Sequence, residues 1–172
     1  TDYLVEGGIN ELAVRLENEN ESSRWYPGAG IYRNVHIVVT DDVHIPMWGT
    51  QLTTPRITNE YAEVLLRTSI CYPEGVASDD LRIVTEISNP RGEVVASAEG
   101  FVSRYDSKLF EQRFDVANPE LWSVDTPLLY SARSQVYLGD ELKDEYTTRF
   151  GIRHIEIIPD KGMFINGVPT KF

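Results

Sequence analysis

Ala62-Glu63-Val64-Leu65-Leu66-Arg67-Thr68-Ser69-Ile70-Cys71-Tyr72 changes side at every residue. Ala62, Val64, Leu66, Thr68, Ile70 and Tyr72 fall on one face; Glu63, Leu65, Arg67, Ser69 and Cys71 fall on the other. A period of two is that of a strand with one face on a core and one in water. The pattern recurs outward from this stretch. Leu81, Ile83, Thr85 and Ile87 alternate with Arg82, Val84, Glu86 and Ser88. Tyr130, Ala132, Ser134, Val136 and Leu138 alternate with Ser131, Arg133, Gln135 and Tyr137. Turn formers punctuate the runs at Asn89-Pro90-Arg91-Gly92, Asp106-Ser107 and Gly139-Asp140-Glu141. No segment holds a helical period long enough to make a convincing helix. The reading is all-β, an antiparallel sandwich.

The chain divides into three parts. Residues 1–42 hold a strand from Asn10 to Glu17, a polar loop from Asn18 to Ser23, and a strand from Asn34 to Thr40. Gly28 and Gly30 allow a tight loop into the second strand. Two strands do not make a domain of their own. Residues 43–150 carry about seven strands, the number of an immunoglobulin-like sandwich. Residues 151–172 start a new unit, in which Asp160-Lys161-Gly162 and Asn166-Gly167 supply two tight turns. Asn166-Gly167 reads as a type I′ hairpin turn. The predicted architecture is therefore an immunoglobulin-like antiparallel β-sandwich, flanked by strands from truncated neighbouring domains.

Composition bounds the function. The 172 residues are 41% apolar, enough for a real core, and carry a net charge of −11. Such a chain repels phosphate backbones and anionic bilayers, so neither nucleic acid nor membrane is an expected partner. No run approaches the roughly 20 apolar residues of a membrane span. Thr1-Asp2-Tyr3-Leu4-Val5-Glu6 is neither an initiator Met nor a signal peptide, so the sequence reads as a processed or cut piece whose compartment stays open. Cys71 is the only cysteine, which excludes an internal disulfide.

Few side chains suggest chemistry. Trp25, Tyr26, Trp48 and Trp122 have the rings to stack on a sugar, but large aromatics more often anchor packing. Trp48, just before Gly49, is the one expected to be exposed. His36, His44 and His154 lack neighbours at metal-ligand spacing. Asp41-Asp42 and Asp79-Asp80 lack the alternating acids of a calcium loop and read as solvated turns. Cys71 reads as an inert thiol and Asn20-Glu21-Ser22 as a chance sequon. Arg24, Arg33 and Arg153 are expected to pair weakly with the abundant carboxylates. There is no Gly-x-Ser-x-Gly elbow and no glycine-rich phosphate loop.

Three stretches carry a resemblance. The first is Ser23-Arg24-Trp25-Tyr26-Pro27-Gly28-Ala29-Gly30-Ile31-Tyr32-Arg33-Asn34-Val35. The second is Asn118-Pro119-Glu120-Leu121-Trp122-Ser123, followed by Thr126-Pro127-Leu128-Leu129-Tyr130. The third is Glu145-Tyr146-Thr147-Thr148-Arg149-Phe150-Gly151-Ile152-Arg153, followed by Asp160-Lys161-Gly162-Met163-Phe164-Ile165-Asn166-Gly167-Val168-Pro169. In this order they resemble the β-galactosidases of glycoside hydrolase family 2: the end of the jelly-roll domain, the immunoglobulin-like domain, and the junction into the catalytic TIM barrel.

The resemblance implies a parent that hydrolyses terminal β-galactosides with retention, using two glutamates on the barrel. Both would lie beyond this chain, as would the barrel's metal ligands. The expectation is thus a non-catalytic structural piece with no catalytic, cofactor-binding, metal or substrate-binding residue. Its partners would be the remaining jelly-roll and barrel domains; carbohydrate would belong to the parent alone. β-Glucuronidases and β-mannosidases share this architecture, so the sugar preference stays open. A rival reading, a carbohydrate-binding module, requires a planar row of at least two exposed rings on one sheet face. The strands at 10–17 and 34–40 would have unpaired edges, expected to fold back on the sandwich or to associate between copies.

Overall fold

The computed structural model describes residues 4–5, 7–17, 28, 30–58, 60–102 and 109–171. The chain divides into two compact units, Thr1–Val38 and Val39–Phe172.

The first unit departs from the sequence reading. Residues 10–17 and 34–38 form no strand ladder, and the same holds for residues 39 and 40 at the start of the second unit. Leu12, Val14, Leu16, Val35 and Ile37 are all exposed. The alternation is present, but a strand is defined by its hydrogen-bonded neighbour, and none is supplied among the described residues. What order exists is local. The Asn10 carboxamide accepts from the Val5 amide (2.8 Å) and donates back to the Val5 carbonyl (3.0 Å).

The second unit holds the sandwich. Its strands are β1 (Thr50–Ile57), β2 (Tyr61–Ser69), β3 (Leu81–Ser88), β4 (Val94–Phe101), β5 (Leu109–Ala117), β6 (Tyr130–Leu138) and β7 (Glu141–Phe150). They make a three-stranded sheet, β1-β2-β5, and a four-stranded sheet, β4-β3-β6-β7, with every pairing antiparallel. Seven strands in two sheets is the immunoglobulin-like arrangement the alternation predicts. The only helical element among the described residues is a 3₁₀ turn at Ser78–Asp80.

The predicted core phases are the observed ones. Ala62, Val64 and Leu66 from β2 meet Ile87, Phe114, Val116, Tyr130 and Ala132 in one cluster. Leu81, Ile83 and Val136 join Val43, Ile45, Ile70 and Val102 in another. Polar residues also occupy the core phase, and they are bonded. Thr85 Oγ1 donates to Gln112 Oε1 (2.7 Å) and lies 2.9 Å from Ser134 Oγ. The Thr85 proton goes to Gln112, so Ser134 donates to Thr85. Gln112 Nε2 then donates to the Ala98 carbonyl (3.1 Å).

That last bond closes one open side of the sandwich, where β4 and β5 edge past each other. Gly100 helps. A β-carbon there would sit 2.6 Å from the tip of the Phe110 ring, so glycine leaves room for that ring against β4. The other side is closed by Thr50 Oγ1 against Thr148 Oγ1 (2.8 Å) and by the Ile45 amide donating to Asp144 Oδ2 (2.8 Å). Pro55 lies at the register shift of edge strand β1, a feature that discourages pairing with another chain.

The chain then forms a separate antiparallel sheet of β8 (Ile155–Ile158), β9 (Gly162–Ile165) and β10 (Val168–Thr170). Asn166 at φ 50° and Gly167 at φ 79° link β9 to β10, as the type I′ reading requires.

Candidate functional site

The region of densest unusual geometry is the joint between the sandwich and this small sheet. It begins at Tyr130, the first residue of β6. Its hydroxyl accepts from the Glu120 amide (2.9 Å), the tyrosine-corner arrangement of immunoglobulin-like sandwiches. Burial pushes the phenol above its ordinary pKa. Arg91 pins the same corner through Glu120 (2.7 Å). Arg91 itself sits in the β3–β4 turn, where the Asn89 carboxamide oxygen accepts from the Arg91 and Glu93 amides.

The corner carries Trp122 into the joint. Its amide donates to the Ile152 carbonyl (2.8 Å). Gly151 lies beneath it: a β-carbon there would be 2.8 Å from Trp122 Cβ and Cγ. The Arg153 guanidinium covers the ring at 4.7 Å from its centroid. Asn166 completes the arrangement from the β9–β10 turn. Its Nδ2 donates to the Trp122 carbonyl (2.9 Å) and its Oδ1 accepts from the His154 amide (2.9 Å). Its own amide donates to the His154 carbonyl (2.8 Å). One side chain therefore ties together the sandwich corner, the connector 151–154 and the hairpin turn. The arrangement offers rigidity rather than acid–base chemistry.

The sequence reading singles out Trp122, Arg153 and Asn166 separately. It misses their convergence, because residues 122, 153 and 166 meet only through tertiary folding. Arg153, expected to pair with a carboxylate, instead stacks on Trp122. Arg33 lies over the Tyr32 ring at 5.1 Å. Trp25, Tyr26, Arg24, Asp106-Ser107 and the Asn20-Glu21-Ser22 sequon lie outside the described residues.

Trp48 is 87% exposed, as its sequence position suggests. It holds φ 63°, a strained conformation for a bulky residue. The turn imposes this, because the Gly49 amide donates to the Pro46 carbonyl (2.7 Å). Phe101 is also exposed, at the far end of β4. On the same face, Arg82 separates it from Tyr137 and covers the Tyr137 ring at 4.2 Å. These described rings do not make the open planar row that a sugar platform needs.

His36 and His154 are exposed. His44 pairs through its backbone with half-buried Cys71. Among the described residues no three His, Cys, Asp or Glu side chains converge to hold a metal ion. Asp41 accepts from the Val43 amide and pairs with Lys143; the amide bond first, then the cation, hold its carboxyl below the ordinary value.

Glycoside chemistry needs two carboxyl groups flanking an enclosed bond. The open groove of about 460 Å³ at the joint, lined by Leu52, Leu129, Arg149, Phe150, Arg153 and Ile155 among others, holds arginines and no carboxylate. Glu63 and Asp115 do stand opposite each other in register. They lie on the open outer face of the three-stranded sheet, and Arg113 binds Glu63 at 3.0 Å. An open groove of about 430 Å³ lies over this pair, lined by Tyr61, Glu63, Arg113, Phe114 and Asp115.

Comparison with known proteins agrees with this architecture. Over 99% of its length the chain is 36% identical to a β-galactosidase of Bacteroides ovatus, of which it spans 20%. Over 95% it is 33% identical to a putative β-glucuronidase of Formosa agariphila, of which it spans 15%. A crystal structure of a β-glycosidase from Bacteroides vulgatus superposes with a TM-score of 0.73 at 28% identity, over 84% of this chain and 18% of that one. The chain thus spans about a fifth or less of the relatives it matches. Residues 43–153 match the profile of the glycosyl hydrolases family 2, and the chain belongs to that family.

Proposed function

We propose that this chain is a non-catalytic supporting segment of a larger β-galactosidase. In this reading residues 1–42 belong to a jelly-roll domain, 43–150 to the immunoglobulin-like domain, and 151–172 open a catalytic TIM barrel. The parent cleaves terminal β-galactosides with retention, through two glutamates about 5–5.5 Å apart. Both lie outside this chain. The segment holds its neighbours in fixed relation, and the Trp122–Asn166 joint is the part that does so.

The observation that carries the reading is the 36% identity to a β-galactosidase along 99% of the chain, of which the chain spans only 20%. The 33% identity to a putative β-glucuronidase keeps a second substrate in view. The test is to assay the pure chain and the full-length protein side by side on chromogenic β-galactosides and β-glucuronides. The chain is expected to be silent and the full-length protein to turn over the galactoside. Turnover by the pure chain, lost on denaturation, would overturn the role; a preference of the full-length protein for the glucuronide would overturn the substrate.

A further inference from the structure

Carboxylates are in excess in this chain, 27 acidic side chains to 16 basic. Most arginines accordingly find one. Among the described residues Arg15, Arg67, Arg82, Arg91, Arg113 and Arg133 each form an ion pair. Arg33 and Arg56 form none, but each lies over a tyrosine ring. Arg149 and Arg153 also lack a carboxylate partner among the described residues, and these two line one groove. Arg149 stands on the exposed phase of β7, next to core residue Phe150, and has no ring contact either. Arg153 rests on Trp122, a contact that leaves its charge uncompensated.

The rest of the groove is mixed. Leu52, Leu129, Phe150 and Ile155 give it apolar walls, and Thr53 and Thr54 bring hydroxyls. Thr54 Oγ1 donates to the Arg153 carbonyl (3.3 Å), which ties the β1 wall to the connector that carries Arg153. The volume of about 460 Å³ is that of a small-molecule site. We propose that this groove binds the carboxylate of a small organic acid. Arg149 and Arg153 hold the anion, and Leu52, Leu129 and Ile155 meet the carbon frame of the ligand. A guanidinium matches a carboxylate with two parallel N–H donors, which selects the group by shape as well as by charge. The net charge of −11 repels an extended polyanion, whereas a single carboxylate needs only the local pair of cations. The site belongs to the sandwich and is independent of which sugar the parent cleaves.

The test is calorimetric titration, at fixed ionic strength, of the 172-residue chain and of the full-length protein. The probes are sodium butyrate, sodium D-glucuronate, D-glucose and sodium sulfate. At least one of the two carboxylates is expected to bind both proteins, and glucose neither. Butyrate as the tighter ligand assigns the groove to an acid with an apolar body, glucuronate to a sugar acid; either result supports the proposal. Arg149→Gln is expected to weaken the carboxylate about tenfold or more, and Arg149→Lys, which retains charge but not the fork, to weaken it less. Arg149 is exposed and unpaired, so neither variant is expected to lower the melting temperature. Arg67→Gln removes the same charge from the other sheet and is expected to leave binding as it is. Failure of both carboxylates to bind would overturn the proposal. So would binding that ignores Arg149→Gln, or an equal loss in Arg67→Gln. Sulfate held as tightly as the carboxylates would reduce the groove to an adventitious ion site only. Binding by the short chain but not by the full-length protein would show that the groove is closed off in the parent, and would overturn it as well.

Discussion

Gly151 shows how a single position sets the joint. It precedes Ile152, which is fully buried, and lies against Trp122. Gly151→Ala would drive a methyl group into Trp122 Cβ, whose position the backbone sets, and into Cγ. The expected cost is about 1–3 kcal/mol, read as a fall of several degrees in melting temperature. Asn166→Asp tests the neighbouring tie. It retains a residue type that tolerates φ 50° but loses the donor to the Trp122 carbonyl. A loss of about 1–3 kcal/mol is expected in denaturant titration, with faster amide exchange at His154. The turn at Asn166-Gly167 is legible in sequence because its backbone requirement is local. The partner of the Asn166 side chain is 44 residues away, and no pattern encodes it.

At the level of strands, legibility follows the same divide. Alternation in β2, β3 and β6 fixes which residues face the core, since a one-residue slip would expose all of them. It says nothing about Gln112, which crosses between sheets to Thr85 and the Ala98 carbonyl. It also misleads at 10–17 and 34–40, where no ladder forms and the apolar side chains are exposed. Thr85→Val tests the crossing. It preserves shape but leaves Gln112 Oε1 without its donor and the Ser134 hydroxyl without its acceptor, at an expected cost of about 1–3 kcal/mol. Ser134→Ala leaves the Thr85–Gln112 bond in place and is expected to cost less. Urea midpoints of the two variants give the comparison; a larger loss for Ser134→Ala would refute this account of the proton order.

Across the whole molecule, 27 acidic side chains outnumber 16 basic ones, yet the outer sheet faces are ordered by ion pairs. Glu111 bonds Arg67 and Arg113, each at 3.0 Å; Glu145 bonds Arg133 at 2.9 Å. The Arg67 bond and then the Arg113 bond hold the Glu111 carboxyl below its ordinary 4.5. Arg133 does the same for Glu145, and Asn89 then Arg91 for Glu93. A lowered native pKa means that the unfolded chain takes up protons first as pH falls. Stability from these groups is therefore complete above the ordinary carboxylate range and is lost as pH drops from about 4.5 through the lower native values. Melting temperature should fall in that window, and Glu111→Gln should make the fall shallower. An unchanged slope would remove Glu111 from the account.

The Asn166-Gly167 turn adds a clock to this lock. Asparagine is among the heat-labile residues, and a following glycine leaves the main-chain nitrogen unhindered for attack on the side-chain amide, with loss of ammonia. In the folded protein both ends of that amide are engaged, one at Trp122 and one at His154. Ring closure has to wait until they let go, so the rate at which stored protein ages at this position records how often the joint breathes.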